Sequence, residues 1–231
     1  MLFRSRANYD LPEVKAQASE LMQIAFLRMC KGMADSYYSA ITDRPIVIDK
    51  NRGWAHYYEW VEQWNPDPKI ICMVRDIRSI ISSMEKVYRK NRHRPIGPDN
   101  PTQLQNMTVD QRVNYWLNAV PVGLALQRTA DTFKRGLDKK VLFVRYEDLC
   151  EQPEVEMKKI YAYIGEDFFV HDFKNLQKKV FEDDSHFGPY GSHAVARELK
   201  AVPKDYNDIL GKATASRVRT EYGWYFDTFG Y

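Results

Sequence analysis

The sequence predicts an α/β domain of three layers, a mainly parallel sheet flanked by helices. Three short apolar runs carry the strand signal: "RPIVIDK" (44–50), "KIICMVR" (69–75) and "KKVLFVRYEDL" (139–149). Helical periodicity follows each of them, and alternating strands and helices call for parallel strands joined by right-handed crossovers. Each run also ends in polar residues: Asp49-Lys50, Arg75-Asp76 and Arg145-Tyr146-Glu147-Asp148. A parallel sheet gathers such ends on one edge, where open α/β sheets bind ligands.

Size and composition fit one domain over residues 1–231. The length allows a sizeable core, and 44% hydrophobic with 13% aromatic residues suits a folded chain. Thirty-four Lys and Arg against 31 Asp and Glu leave +3, too balanced for a nucleic-acid binder. Cys30, Cys72 and Cys150 lie far apart, which reads as reduced thiols in a cytoplasmic protein, with no metal pattern. No run reaches the roughly 18 apolar residues of a membrane span, and no signal-peptide core is visible.

In chain order, residues 12–40 read as a helix with Val14, Ala18, Leu21, Met22, Ala25 and Met29 on one stripe. Run 44–50 is a buried strand, followed by an aromatic-rich helix over 51–64 that ends before Asn65-Pro66. After run 69–75, Ile77, Ile80, Ile81, Met84, Val87 and Tyr88 mark the face of the next helix. The three prolines of 91–107 make that stretch a loop. Thr108 and Gln111 form a capping box for a helix that is interrupted near Pro121 and stopped by Gly136. After run 139–149 comes a helix with Pro153 in its first turn and Gly165 just past its end. An irregular run, a helix over about 204–221 and an aromatic tail complete the chain.

The strand–turn–helix of "VRDIRSIISS" is the chemically suggestive element. Arg75 offers a fixed fork for a phosphate or sulfate at a helix start, and Ser83 shares a stripe with Ser79 and Lys86. The competing structural reading is an Arg75–Asp76 ion pair with the serine bonded to backbone. The basic run 88–94 reads as a solvated helix end, or as a contact for an anionic partner. His186 and His193 lack the companions of a metal site, and the tail from Trp224 to Tyr231 reads as core packing, or as an exposed ring to stack on a nucleotide base.

These residues resemble the sulfotransferases that use 3′-phosphoadenosine 5′-phosphosulfate (PAPS). In that family a strand ends in Arg, followed by Asp or Asn, with a Ser eight residues after the Arg, as Arg75 and Ser83 stand here. A later strand ends in Tyr-Glu-Asp before a Pro-led helix, as in "VRYEDL" and 153–164. The resemblance runs from about residue 44 to 165, and more loosely to the aromatic C-terminus. It implies a P-loop-kinase-like fold, PAPS as donor with adenosine 3′,5′-bisphosphate (PAP) as product, and no metal. Arg75 and Ser83 would hold the 3′-phosphate and Tyr146 would contact the adenine. By the same resemblance Asp49 would be the general base and Lys50 the cation at the reacting oxygens, although Asn51-Arg52-Gly53-Trp54 departs from the family's usual continuation. Asp49 also reads as a capping carboxylate for the helix after it. Arg197 is placed only loosely, on a loop near the acceptor.

The family's 5′-phosphosulfate loop has no counterpart. "LFRS" at 2–5 resembles a scrap of it, but "RANYD" follows without the glycine, the threonine or a helix start. The chain is therefore expected to lack the family's first strand, to be N-terminally incomplete, and to be inactive as it stands. Runs 69–75 and 139–149 should then be parallel and either leave a gap or close onto each other, with 44–50 outside 69–75. The expected reaction moves a sulfuryl group to a hydroxyl or amine of a carbohydrate, peptide or small molecule, without nucleic acid or membrane. Two other readings stay open: a nucleotide or sugar kinase of the same fold, and a non-catalytic nucleotide- or glycan-binding module.

Overall fold

A computed structural model describes residues 19–92, 102–177, 197–201 and 204–231. The chain divides into two compact units, Met1–Pro68 and Lys69–Tyr231.

In the first unit, α1 (Ser19–Ile41) leads through an irregular segment to the short α2 (Tyr58–Glu62). The half-buried row of α1 is Met22, Phe26, Cys30, Ala34 and Tyr38. Of the predicted stripe, only Met22 lies on that row. Leu21 is 66% exposed, Ala25 and Met29 also face outward, and Val14 and Ala18 lie outside the described residues. Both rows have helical spacing, so periodicity alone cannot choose between them. The hydrogen bond from Tyr38 to Asp49 helps fix the choice.

Residues 44–50 are not a strand. Ile46, Val47 and Ile48 are exposed, Ile48 by 79%. Pro45 removes one ladder donor, and among the described residues no strand lies alongside to complete a pair. The helix expected over 51–64 shortens to α2. The Asn51 side chain accepts the Gly53 N–H at 2.8 Å and bends the backbone into turns before Tyr58.

In the second unit, β1 (Ile70–Val74) and β2 (Val141–Arg145) pair in parallel, from Ile70↔Val141 to Val74↔Arg145. The two strands close directly onto each other, one of the two expected arrangements. Between them run α3 (Ile77–Asn91), a 3₁₀ turn (Thr102–Asn106), α4 (Val109–Asn118), α5 (Val122–Lys134) and a second 3₁₀ turn (Leu137–Lys139). After β2 come α6 (Tyr146–Glu151), α7 (Pro153–Ile164), α8 (Tyr206–Leu210), α9 (Lys212–Glu221) and α10 (Gly223–Phe229).

Local chemistry sets these boundaries. The Thr108–Gln111 capping box opens α4, and the break near Pro121 divides the expected long helix into α4 and α5. Gly165 closes α7 at φ +80°, a conformation that costs a side-chain-bearing residue 1 kcal/mol or so. Gly211, at φ +86°, splits the helix expected over 204–221 into α8 and α9.

The core lies where α3, α4, α9 and α10 meet. Ile77, Ile81, Leu104, Val113, Trp116, Val218 and Phe226 are fully or almost fully buried there. Each such side chain contributes about 1.5–3 kcal/mol by leaving water. The predicted α3 face holds, with Ile77, Ile81 and Tyr88 buried and Ile80 and Met84 packed against them. Tyr163 of α7 ties the starts of both strands, accepting from the Ile70 N–H at 3.1 Å and donating to the Lys140 carbonyl at 2.7 Å.

Candidate functional site

The turn from β1 to α3 presents Arg75 and Asp76. Asp76 caps α3: its Oδ1 accepts the Arg78 N–H at 2.9 Å, and the Arg78 guanidinium closes on both carboxylate oxygens at 3.0 and 2.7 Å. The expected rival pair, Arg75–Asp76, is therefore not formed. Among the described residues no carboxylate lies within ion-pair distance of Arg75. Its guanidinium instead lies 4.6 Å above the Tyr146 ring. Tyr146 opens α6 directly after β2, so the parallel register brings the two residues to the same strand end. Burial, and then the neighbouring Cys150, push the Tyr146 phenol above its ordinary pKa, while the Arg75 cation opposes the shift.

A cavity of about 230 Å³ opens here, lined by Arg75, Ser79, Tyr146, Glu147, Glu151 and Lys204, with Ala201 at its side. Its two carboxylates are not equivalent. Glu147 is committed to the scaffold, accepting the Asp76 N–H on Oε1 at 3.2 Å and the Tyr231 hydroxyl on Oε2 at 2.9 Å. Glu151 is exposed. Arg75 and Lys204 supply positive charge, and the Ser79 hydroxyl adds a neutral donor. Such a set of groups suits a phosphate, because among the described residues the Arg75 fork has no ion pair to break.

Ser83 lies one turn beyond Ser79 on α3, exposed and outside the cavity lining. Its neighbour Ser82 is buried and bonded to Asp205 at 3.3 Å, and Lys86 is paired with the same carboxylate. Arg89, from the basic run, is spent on Glu85 at 2.7 Å and on the Ile209 carbonyl. The Arg197 side chain bonds to Asn175. Residues 93–101, His186, His193 and the "LFRS" segment lie outside the described residues.

In the first unit, the Asp49 Oδ2 accepts from the Tyr38 hydroxyl at 2.9 Å and from the Trp54 indole N–H at 3.1 Å. It serves two side chains, not the backbone amides of a helix start as the capping reading expected. Burial, followed by the bond to Asp49, pushes the Tyr38 phenol up to about 12. Lys50 is exposed and makes no bond or ion pair among the described residues.

Sequence reasoning passed over Lys204 and Glu151, and it took Tyr225 only as part of the aromatic tail. Tyr225 lies 150 positions from Arg75, and its hydroxyl meets the Arg75 peptide group. Contacts at that separation leave no local signal. Ser79 was legible as part of the α3 polar stripe. Of the tail read as core, Tyr225, Phe226 and Phe229 are buried, whereas Trp224 is exposed.

Fold and site together define an α/β protein with an arginine stacked on a tyrosine where its parallel strands end. The chain matches the family model described as the Sulfotransferase family over residues 2–170, and it belongs to that family. It is in general terms a sulfotransferase. No curated protein and no solved structure matches it. Among the described residues, no helix is long and apolar enough to cross a membrane, and no three His, Cys, Asp or Glu side chains gather to hold a metal.

Proposed function

We propose that the chain uses PAPS as sulfuryl donor, within one sulfotransferase domain spanning residues 1–231. The family match crosses from one unit into the other and supports a single domain. The observation that carries the donor assignment is Arg75: a guanidinium with no ion pair among the described residues, stacked on Tyr146 and opening on a cavity with Ser79 and Lys204. PAPS brings an activated sulfuryl group and a 3′-phosphate. Arg75 binds the 3′-phosphate through charge-assisted bonds, Ser83 adds a hydroxyl further along the exposed α3 stripe, and Tyr146 offers its ring edge to the adenine.

Asp49 takes the proton of the acceptor hydroxyl or amine, and Lys50 neutralises charge on the reacting oxygens. The two donors on the Asp49 Oδ2 support this role by orienting the carboxylate. No metal is needed for this chemistry. The acceptor is a carbohydrate, peptide or small molecule. Unpaired Cys30, Cys72 and Cys150 suit a cytoplasmic setting.

Competition binding tests the proposal. PAP should displace labelled PAPS, while ATP with or without Mg²⁺ should not. Displacement by ATP that strengthens with Mg²⁺ would favour a kinase-type nucleotide site instead.

A further inference from the structure

We infer that Tyr225 is a positioning residue for Arg75: its hydroxyl fixes the Arg75 backbone between β1 and α3 and so aims the guanidinium into the cavity. The inference rests on the phosphate-binding reading of Arg75 proposed above.

The β1–β2 ladder ends at Val74↔Arg145, so the Arg75 peptide groups lie just beyond it. One hydroxyl attends to both of them. The Tyr225 oxygen accepts from the Arg75 N–H at 3.2 Å and donates to the Arg75 carbonyl at 3.0 Å. A hydrogen-bonded residue on an antiparallel strand makes the same exchange. A single phenol thus prolongs the sheet by one residue.

The phenol cannot wander. Tyr225 is 4% exposed and packs edge-on against Phe229 at 4.7 Å, with its ring parallel to that of Tyr231. The Asp76 N–H, on the same peptide unit as the Arg75 carbonyl, is tied to the same end of the chain through Glu147 and the Tyr231 hydroxyl. Two consecutive links of the β1–α3 turn are therefore set by the last residues of the protein. Arg75 has no carboxylate among the described residues to hold its side chain, so its direction depends on its backbone and on the Tyr146 ring. Tyr225 lies outside the residues matched by the family model, 2–170, so family membership assigns it nothing. Burial holds its phenol protonated well above the ordinary tyrosine range, so it remains a donor at neutral pH.

Calorimetry on the full chain with PAP and AMP tests the role. Tyr225→Phe should reduce the preference for PAP over AMP by about three- to tenfold, with AMP affinity unchanged. Val113→Ala, a core change on α4 that removes neither hydrogen bond to Arg75, should lower the melting temperature and leave the preference intact. A preference unchanged in Tyr225→Phe but lost in Arg75→Ala would overturn the positioning role while leaving the phosphate reading in place. A preference that survives Arg75→Ala would defeat the phosphate reading, and the inference with it. Amide hydrogen exchange on the unaltered protein gives an independent check. The Arg75 N–H should exchange as slowly as the ladder amides of β1, and exchange at the rate of an open loop would overturn the inference.

Discussion

Arg78, not Arg75, holds Asp76. The Arg78 guanidinium spans both oxygens of a carboxylate that is 1% exposed, and it lies 4.3 Å above the Tyr206 ring. This pairing keeps the Arg75 fork available. Arg78→Ala should destabilise the fold by about 1.5–3 kcal/mol, the scale of lost charged hydrogen bonds. It should also weaken PAP binding, because the orphaned Asp76 then competes for Arg75. Urea denaturation and calorimetry on the variant measure both effects. Unchanged PAP affinity in a destabilised variant would show that Asp76 does not reach Arg75.

Glu85 is wholly buried in α3 and receives Arg112 of α4 through two bonds, at 2.8 and 2.7 Å, while Arg89 adds a third at 2.7 Å. Removing Glu85 breaks all three of these charge-assisted bonds at a site closed to water. Glu85→Ala should therefore cost about 3–5 kcal/mol, among the larger losses available to this chain. Glu85→Met together with Arg112→Leu should recover much of it. The denaturant midpoints of the single and double variants decide the point.

Alkaline pH should loosen the C-terminal lock. Burial chiefly, and for Tyr231 then Glu147, raises the phenols of Tyr225 and Tyr231 above their ordinary value. Above about pH 10 the unfolded chain loses tyrosine protons that the folded chain keeps. The unfolded state then binds fewer protons, so stability falls as pH rises. Their contribution is fully present below about pH 10 and is lost as pH climbs through the folded values. Urea midpoints should drop between about pH 9 and pH 11, and less so in Tyr231→Phe. Equal drops in both proteins would detach Tyr231 from the effect.

Asp49→Asn should slow sulfuryl transfer, measured in a chain that turns over, by about 10²–10⁴-fold while leaving PAP affinity near the unaltered value. Parallel loss of binding and turnover would make Asp49 structural.

Much of the second unit was legible because its signals are local. The Thr108–Gln111 box, Pro121, Gly136, Pro153 and Gly165 act within a turn of themselves, and the α3 stripe follows the 3.6 period. Arg75 and Tyr146 could be placed at one site because each directly follows a strand and parallel strands end together. The failures are equally physical. An apolar run such as Ile46-Val47-Ile48 becomes a strand only beside a partner, which is a tertiary matter. The neighbour of Asp76 depended on whether Arg75 or Arg78 turned back towards it, and the helix start favours Arg78, whose own N–H already bonds the carboxylate. Tyr225 and Glu147 act across long separations, where no spacing rule applies.

The central claim is that Arg75 reads a 3′-phosphate, and calorimetry with PAP and AMP on the unaltered chain and on Arg75→Ala tests it most directly. A few charge-assisted contacts should hold PAP in about the high-micromolar to millimolar range. The unaltered chain should prefer PAP to AMP by about ten- to a hundredfold, and Arg75→Ala should bind the two nucleotides alike. Equal affinity for PAP and AMP in the unaltered chain would contradict the account.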